Sequence, residues 1–499
     1  MATPSRNVAA SVAQVVASAL IMFALYRTLL ETLGAKRLGI WSVVLATASA
    51  SRIGDLGLSA SVTRFVAKYR ARQDDRAAGC VVQTAALSIA GLLGLALLFA
   101  YPGLDLLFER LFVDQALIEA RALLPYALVS LGLTAVASVF QSGLEGCQRY
   151  DRRVLLVVAG QLLFLSAALW LAPRHGLVGL AWAQIGQGVV LVVLGWFSLR
   201  RLLPGLPWLP WRWRRVFFRE MLGYGLQFQV SSVAMMLFDP LTKALLGKYG
   251  GLSVAGYYEM AGQFVSKARA LIVSANQVLV PLAADLHERD PGKLGEVYRT
   301  NLRLLFFVVL PLYALVVAWA PPLSELWIGR YEPKFVFFVG VLTLAWGLNT
   351  FAGPAYFSNL GTGRISWNTL TQVWMGLANA GLGLALGPHY GAEGIVWGMA
   401  IALISGSGLV VVAFHREHRL SWRLLLPAEA IGCILGSAVA IAASDTVYQI
   451  MASESTMERF LLILMTPLLV LAPILWCHPL RSVLLGRVHG RFEKRIAVE

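Results

Sequence analysis

The stretch Gly176-Leu-Val-Gly179-Leu-Ala-Trp182 returns 215 positions later as Gly391-Ala-Glu-Gly394-Ile-Val-Trp397. A histidine lies just before each, His175 and His389. Two further matches keep nearly the same offset. Gly39-Ile40-Trp41 pairs with Gly256-Tyr257-Tyr258, and Leu144 before Gly146 and Arg149 pairs with Leu360 before Gly361, Gly363 and Arg364. Matches in order at one offset mark a duplicated unit, and the number of spans inside that unit fixes how its copies relate.

The composition says what kind of spans these are. Of 499 residues, 58% are hydrophobic and 14% charged, against roughly 25% charged in soluble domains. This excludes a soluble enzyme, a disordered chain and a nucleic-acid-binding protein. A bilayer crossing takes about 20 apolar residues, and fourteen such segments are predicted: 8–30, 39–65, 79–101, 119–142, 154–172, 177–199, 220–247, 254–282, 302–320, 334–358, 366–387, 392–414, 425–443 and 459–477. The first is too long for a secretory leader and is expected to remain. The connecting loops are short, so the chemistry is expected within the spans or at their ends.

The net charge of +15 has to be placed. With the N-terminus in the cytoplasm, 27 Lys and Arg fall in cytoplasmic segments, nine fall opposite, and six lie at membrane depth. That bias predicts both termini in the cytoplasm. The offset spans six segments, an even number, so the copies run in the same direction about an axis along the membrane normal. The expected architecture is all-α and polytopic, with two pseudo-symmetric six-helix lobes and two extra C-terminal helices. The expected division is an N-lobe (1–199), a linker (200–219), a C-lobe (220–414), an appendage (415–480) and a basic cytoplasmic tail (481–499). The linker alternates Trp208, Trp211 and Trp213 with arginines after Pro204, Pro207 and Pro210. Beside a membrane this pattern reads as an interfacial anchor, with membrane lipids as its partner and no nucleic acid.

A charge at bilayer depth costs at least about 2.5–3.5 kcal/mol on insertion scales. The basic set there is Arg27, Arg52, Arg64, Lys243, Lys267 and Arg269; the acidic set is Asp55, Asp239 and Glu259. Arg52 and Arg269 stand 217 positions apart, at similar depth in equivalent spans. Asp239 and Lys243 have the i,i+4 spacing of an ion pair, with Pro240 between them. Arg52 and Asp55 have i,i+3 spacing. Glu259, Gln263 and Lys267 share one stripe and are expected to form a ladder. Lys267 and Arg269 point about 200° apart. Arg64, near a span end, is expected to snorkel. Arg27, Arg52 and Arg269 are left as the unpaired cations of an anion site, with Asp55, Asp239, Lys243, Glu259 and Lys267 as secondary cavity or ion-pair candidates.

No Walker A, HExxH or GxSxG motif occurs, and the four cysteines form no CxxC. His415 and His418 lie in a basic loop without the partners a metal needs. The glycines between Gly381 and Gly387 suit close helix packing. The chain therefore reads as a transporter rather than an enzyme, with neither cofactor nor metal.

Two stretches resemble a known family. Residues 33–69, LGAKRLGIWSVVLATASASRIGDLGLSASVTRFVAKY, carry Leu38-Gly39-Ile40-Trp41, Asp55-Leu56-Gly57-Leu58 and Arg64. They resemble the polysaccharide-transport (Wzx-type) flippases of the MOP superfamily, which also holds the MATE drug exporters and lipid II flippases. Residues 255–286, AGYYEMAGQFVSKARALIVSANQVLVPLAADL, with Gly256-Tyr257-Tyr258 and Pro281, are similar to the second-lobe signature. The likeness covers about residues 8–414. It implies two six-helix lobes around a central cavity. It also implies that an undecaprenyl-pyrophosphate-linked oligosaccharide is flipped across the bacterial inner membrane, with a glycan polymerase or biosynthesis complex as partner. Energy would come from coupling H+ or Na+, from the substrate gradient or from downstream polymerisation. In the lipid II branch, functional arginines sit in the spans that here hold Arg27, Arg52 and Arg269. A lipid II flippase and a MATE-type cation antiporter are the alternatives. An organic cation calls for carboxylates or π faces, which a basic excess at membrane depth disfavours.

Overall fold

The computed structural model describes residues 4–49, 58–204, 206–276, 293–362, 366–451 and 457–477, with single positions 279, 283, 286 and 290. Among these there is no strand. The α-helices are α1 (Pro4–Ser49), α2 (Leu58–Ala71), α3 (Asp75–Leu111), α4 (Asp114–Gly146), α5 (Tyr150–Arg200), α6 (Arg215–Leu245), α7 (Leu252–Asn276), α8 (Leu294–Ala318), α9 (Ala320–Ile328), α10 (Pro333–Phe351), α11 (Gly353–Gly361), α12 (Ser366–Glu417), α13 (Ala428–Ile450) and α14 (Met457–Cys477). Nine helices of the described residues are long and apolar enough to cross a membrane.

Three of the longest are broken at a glycine. Gly176 in α5 has φ 60° and ψ −138°; Gly391 in α12 has φ 57° and ψ −138°. These are the first glycines of the repeated motif, and only glycine adopts such angles without strain. Each break reverses the chain. Gly160 packs on Leu191 across the first hairpin, and Gly398 on Leu382 across the second. The motif's second glycine admits backbone. A Cβ on Gly179 would fall 2.4 Å from the Leu171 carbonyl oxygen, and one on Gly394 2.7 Å from that of Leu386. Proline precedes each turn, at Pro173 and Pro388. Thus α5 holds the predicted spans 154–172 and 177–199, and α12 holds 366–387 and 392–414. The third break is Gly34 in α1, with φ 78° and ψ 163°.

Two predicted spans end differently. The segment expected at 302–320 is α8, which begins at Leu294; helix restarts at Ala320, where Pro321 and Pro322 occupy the first turn. The segment expected at 334–358 is split between α10 and α11, because Pro354 in the first turn of α11 has no N–H to continue the ladder.

The described residues form two compact units. Residues 1–260 and 372–399 make the first; 261–371 and 400–499 make the second. In the first, the linker after α5 lies along α3. Gln83 Oε1 accepts from the backbone N–H groups of Trp211 (3.3 Å) and Arg212 (3.2 Å), and Trp213 Nε1 donates to Ser88 Oγ at 2.9 Å. Trp208 and Trp211 stay exposed. In the second unit, Arg303 on α8 holds Glu429 on α13, with Nε donating at 2.7 Å. Glu325 on α9 accepts from Tyr448 Oη (2.6 Å) and Arg459 Nη2 (3.2 Å), tying down α13 and α14.

Candidate functional site

Arg269, on the part of α7 in the second unit, lies over an aromatic face rather than against an acid. Its guanidinium carbon is 4.0 Å from the ring centroid of Trp346 on α10. Nη2 reaches Asn349 Oδ1 at 3.5 Å, the outer limit of a hydrogen bond. Nε is buried with no hydrogen-bond partner. No carboxylate among the described residues pairs with this side chain. The partners it has are themselves held. Asn349 Nδ2 donates to Ser407 Oγ on α12 at 2.8 Å, and that hydroxyl donates to the Leu403 carbonyl at 2.7 Å. Gly347 lets α8 come close: a Cβ there would lie 3.3 Å from the Tyr313 ring, whose hydroxyl meets Thr350 Oγ1 at 3.3 Å. The result is an oriented guanidinium with unfilled donor capacity. Arg presents five N–H groups in a rigid fork, and a π face leaves that fork free to bind an anion.

Lys243, another partly buried cation, is in the opposite condition. Lys243 Nζ lies 2.6 Å from Asp239 Oδ2 and 2.7 Å from Glu259 Oε2. The i,i+4 pair expected within α6 is there, with a second carboxylate added from α7. Glu259 is buried, and both its oxygens are used. Tyr26 Oη donates to Oε1 at 3.0 Å, and Ser42 Oγ donates to Oε2 at 2.8 Å. The ladder expected along α7 does not reach Lys267. Glu259 is satisfied from α1 and α6, because a buried carboxylate takes the cation and hydroxyls that reach it across helices. Lys267 has no ion-pair partner among the described residues.

Arg27 also differs from the unpaired reading. Its Nε donates to Glu31 Oε1 at 3.1 Å, and its side chain is half exposed. The acid four residues on was legible in the sequence and offered the ordinary helical pair. Arg52, Asp55, Pro281 and the tail 481–499 lie outside the described residues. Sequence reasoning missed Trp346 and Asn349, which only the approach of α10 to α7 reveals. It also missed Tyr26 and Ser42, although subtracting the repeat offset from Lys243 and Glu259 points to both.

Residues 85–331 match the family described as "Polysaccharide biosynthesis protein". No curated protein sequence matches the chain. Among solved structures it is similar to a multidrug-resistance MATE transporter of the MOP superfamily in an inward-facing conformation. That match has TM-score 0.71 and 17% identity, over 81% of this chain and 94% of that one. It is similar to the lipid II flippase MurJ in an inward closed conformation, with TM-score 0.67 and 14% identity, over 94% and 97% of the two chains. It is also similar to a MOP-superfamily transporter from Pyrococcus furiosus, described as having a binding pocket of reversed polarity. There the TM-score is 0.61 with 16% identity, over 84% and 96%. The chain is a multi-pass membrane protein with the fold of the MATE and MurJ transporters, and its residues 85–331 match the polysaccharide biosynthesis family model.

Proposed function

We propose that the chain flips a polyprenyl-pyrophosphate-linked oligosaccharide, a repeat unit of O-antigen, capsule or exopolysaccharide, to the outer leaflet of the bacterial inner membrane. Alternating access carries the headgroup, and the polyprenyl tail stays in lipid. The observation that supports this most is Arg269, a cation without a carboxylate, stacked on Trp346 with Nε unfilled. A pyrophosphate accepts the charge-assisted hydrogen bonds that such a fork offers. Arg52, one repeat offset away, is the proposed second contact. Arg27 joins them only by giving up Glu31. The termini are cytoplasmic in this reading, and H+ or Na+ coupling falls to the acidic set.

The test replaces Arg269 by Ala and by Lys at matched membrane levels in a strain deleted for the chain. Both variants should lose surface glycan, with undecaprenyl-linked units accumulating. Full glycan display by Arg269→Ala overturns the assignment. A second reading, flipping of lipid II, is favoured by the match to MurJ over 94% of this chain. Depletion then causes lysis rather than loss of surface polysaccharide alone. Export of organic cations is disfavoured, since Arg269 repels a cation; drug resistance on expression would revive it.

A further inference from the structure

The cluster around Glu259 is built on the repeat itself. Tyr26 and Lys243 are 217 positions apart, as are Ser42 and Glu259. Each of the four lies eight positions from a turn glycine, Gly34 in the first copy or Gly251 in the second. At about 1.5 Å per residue they share one layer, about 12 Å from those turns. The turns have similar backbones: φ 78° and ψ 163° at Gly34, φ 92° and ψ 155° at Gly251.

The packing above this layer is reciprocal. A Cβ on Gly39 would fall 1.6 Å from the Leu252 carbonyl oxygen, and one on Gly256 would fall 2.6 Å from the Ala35 carbonyl oxygen. Ala35 and Leu252 are also one offset apart. The copies therefore meet on their own pseudo-two-fold axis, each placing a glycine on the equivalent backbone of the other. All these residues belong to the first unit. Only the second copy carries charge, and its carboxylate takes a hydroxyl from each of two first-copy positions.

We propose that the Tyr26–Ser42–Lys243–Glu259 layer is a latch. It closes the face of the membrane on which Gly34 and Gly251 lie, opposite the N-terminus, and comes apart when that face opens. The proposal rests on the transport reading but on no particular substrate. Alternating access requires contacts between repeats at one face to be made and broken in each cycle. A fully satisfied polar layer suits that duty. Closed, every polar atom of Glu259 has a donor. Partly open and dry, the carboxylate loses donors without gaining water, so the layer favours two end states over intermediates. The glycine crossings beneath the turns add no interlocking side chains that would have to be withdrawn.

The test uses Val43 and Gly247, one from each copy. A Cβ on Gly247 would lie 3.2 Å from Val43 Cγ2. Val43→Cys and Gly247→Cys are combined in a full-length chain whose Cys80, Cys147, Cys433 and Cys477 are replaced by Ser. Mild oxidation of membranes should form the disulfide, abolish glycan display and lose that effect on reduction. Adding Lys243→Met should slow cross-linking roughly tenfold, the scale of one charge-assisted hydrogen bond. A disulfide that never forms, an oxidised protein that still transports, or a rate indifferent to Lys243→Met overturns the latch. If the unsubstituted chain itself restores no glycan display, the substrate reading is at fault, and the cross-linking rates alone decide the latch.

Discussion

Lys243 and Arg269 are both partly buried cations, on the consecutive helices α6 and α7, yet their surroundings are opposite. Lys243 has two carboxylates within 2.7 Å. Arg269 has an indole face, one distant amide oxygen and a donor with nothing to bond. The first is complete without a ligand, and the second is not. A basic excess counted along the chain cannot separate these conditions. Only partner geometry tells a cation that holds the protein from one held ready for something else.

The largest way to break the comparison is at Lys243. Lys243→Met removes one partner of a buried pair and leaves Glu259 uncompensated, which costs about 3–5 kcal/mol. Thermal unfolding of the purified protein should show it, and the Lys243→Met/Glu259→Leu double variant should recover most of the loss. Arg269→Ala should do the reverse: melting near the parent's, with substrate binding weakened by roughly ten- to a hundredfold, as for a charge-assisted hydrogen bond worth about 1.5–3 kcal/mol. Arg269→Lys should not rescue binding, because an ammonium lacks the planar fork. A comparison of repeat with repeat comes next. Gly176→Ala and Gly391→Ala should each cost about 1–3 kcal/mol from strain in a positive-φ region that side chains avoid, and nearly the same amount, since their angles agree within 3° in φ. Unequal costs would mean that packing, rather than backbone, sets the turn. The smallest effect is expected at Arg27, where Arg27→Gln breaks an exposed i,i+4 pair worth roughly 0.3–0.5 kcal/mol; transport reduced as far as by Arg269→Ala would move Arg27 into the anion site.

The helical architecture was legible because hydropathy reports burial in lipid directly, and the repeat was legible because glycine carries backbone information that survives divergence. Gly176 and Gly391 were found as letters and recur as matching dihedral angles. Arg269 was legible as an unpaired cation, since the sequence offers no acid at helical spacing on its own face. Trp346 and Asn349 were not, because 77 and 80 positions separate them from it and only helix packing closes that distance. Glu259 was legible as an ion-pair candidate, and it pairs with Lys243, but its hydroxyl donors were not legible. Its nearest candidates in sequence lay along α7, while its hydroxyl donors come from 217 and 233 positions away.

The two glycine hairpins have a consequence for biogenesis. In α5 and α12 the chain reverses with scarcely a residue outside helix, so each pair of spans has almost no polar connector to be handed across the membrane alone. Such a pair must enter the bilayer together, as a preformed hairpin. Its orientation is then decided by the basic residues at its open end, Arg149, Arg152 and Arg153 before α5 crosses and Arg200 and Arg201 after it. A tag or glycosylation site placed at Gly176 would have to be accommodated by unravelling helix, and should trap the hairpin half-inserted rather than report its topology.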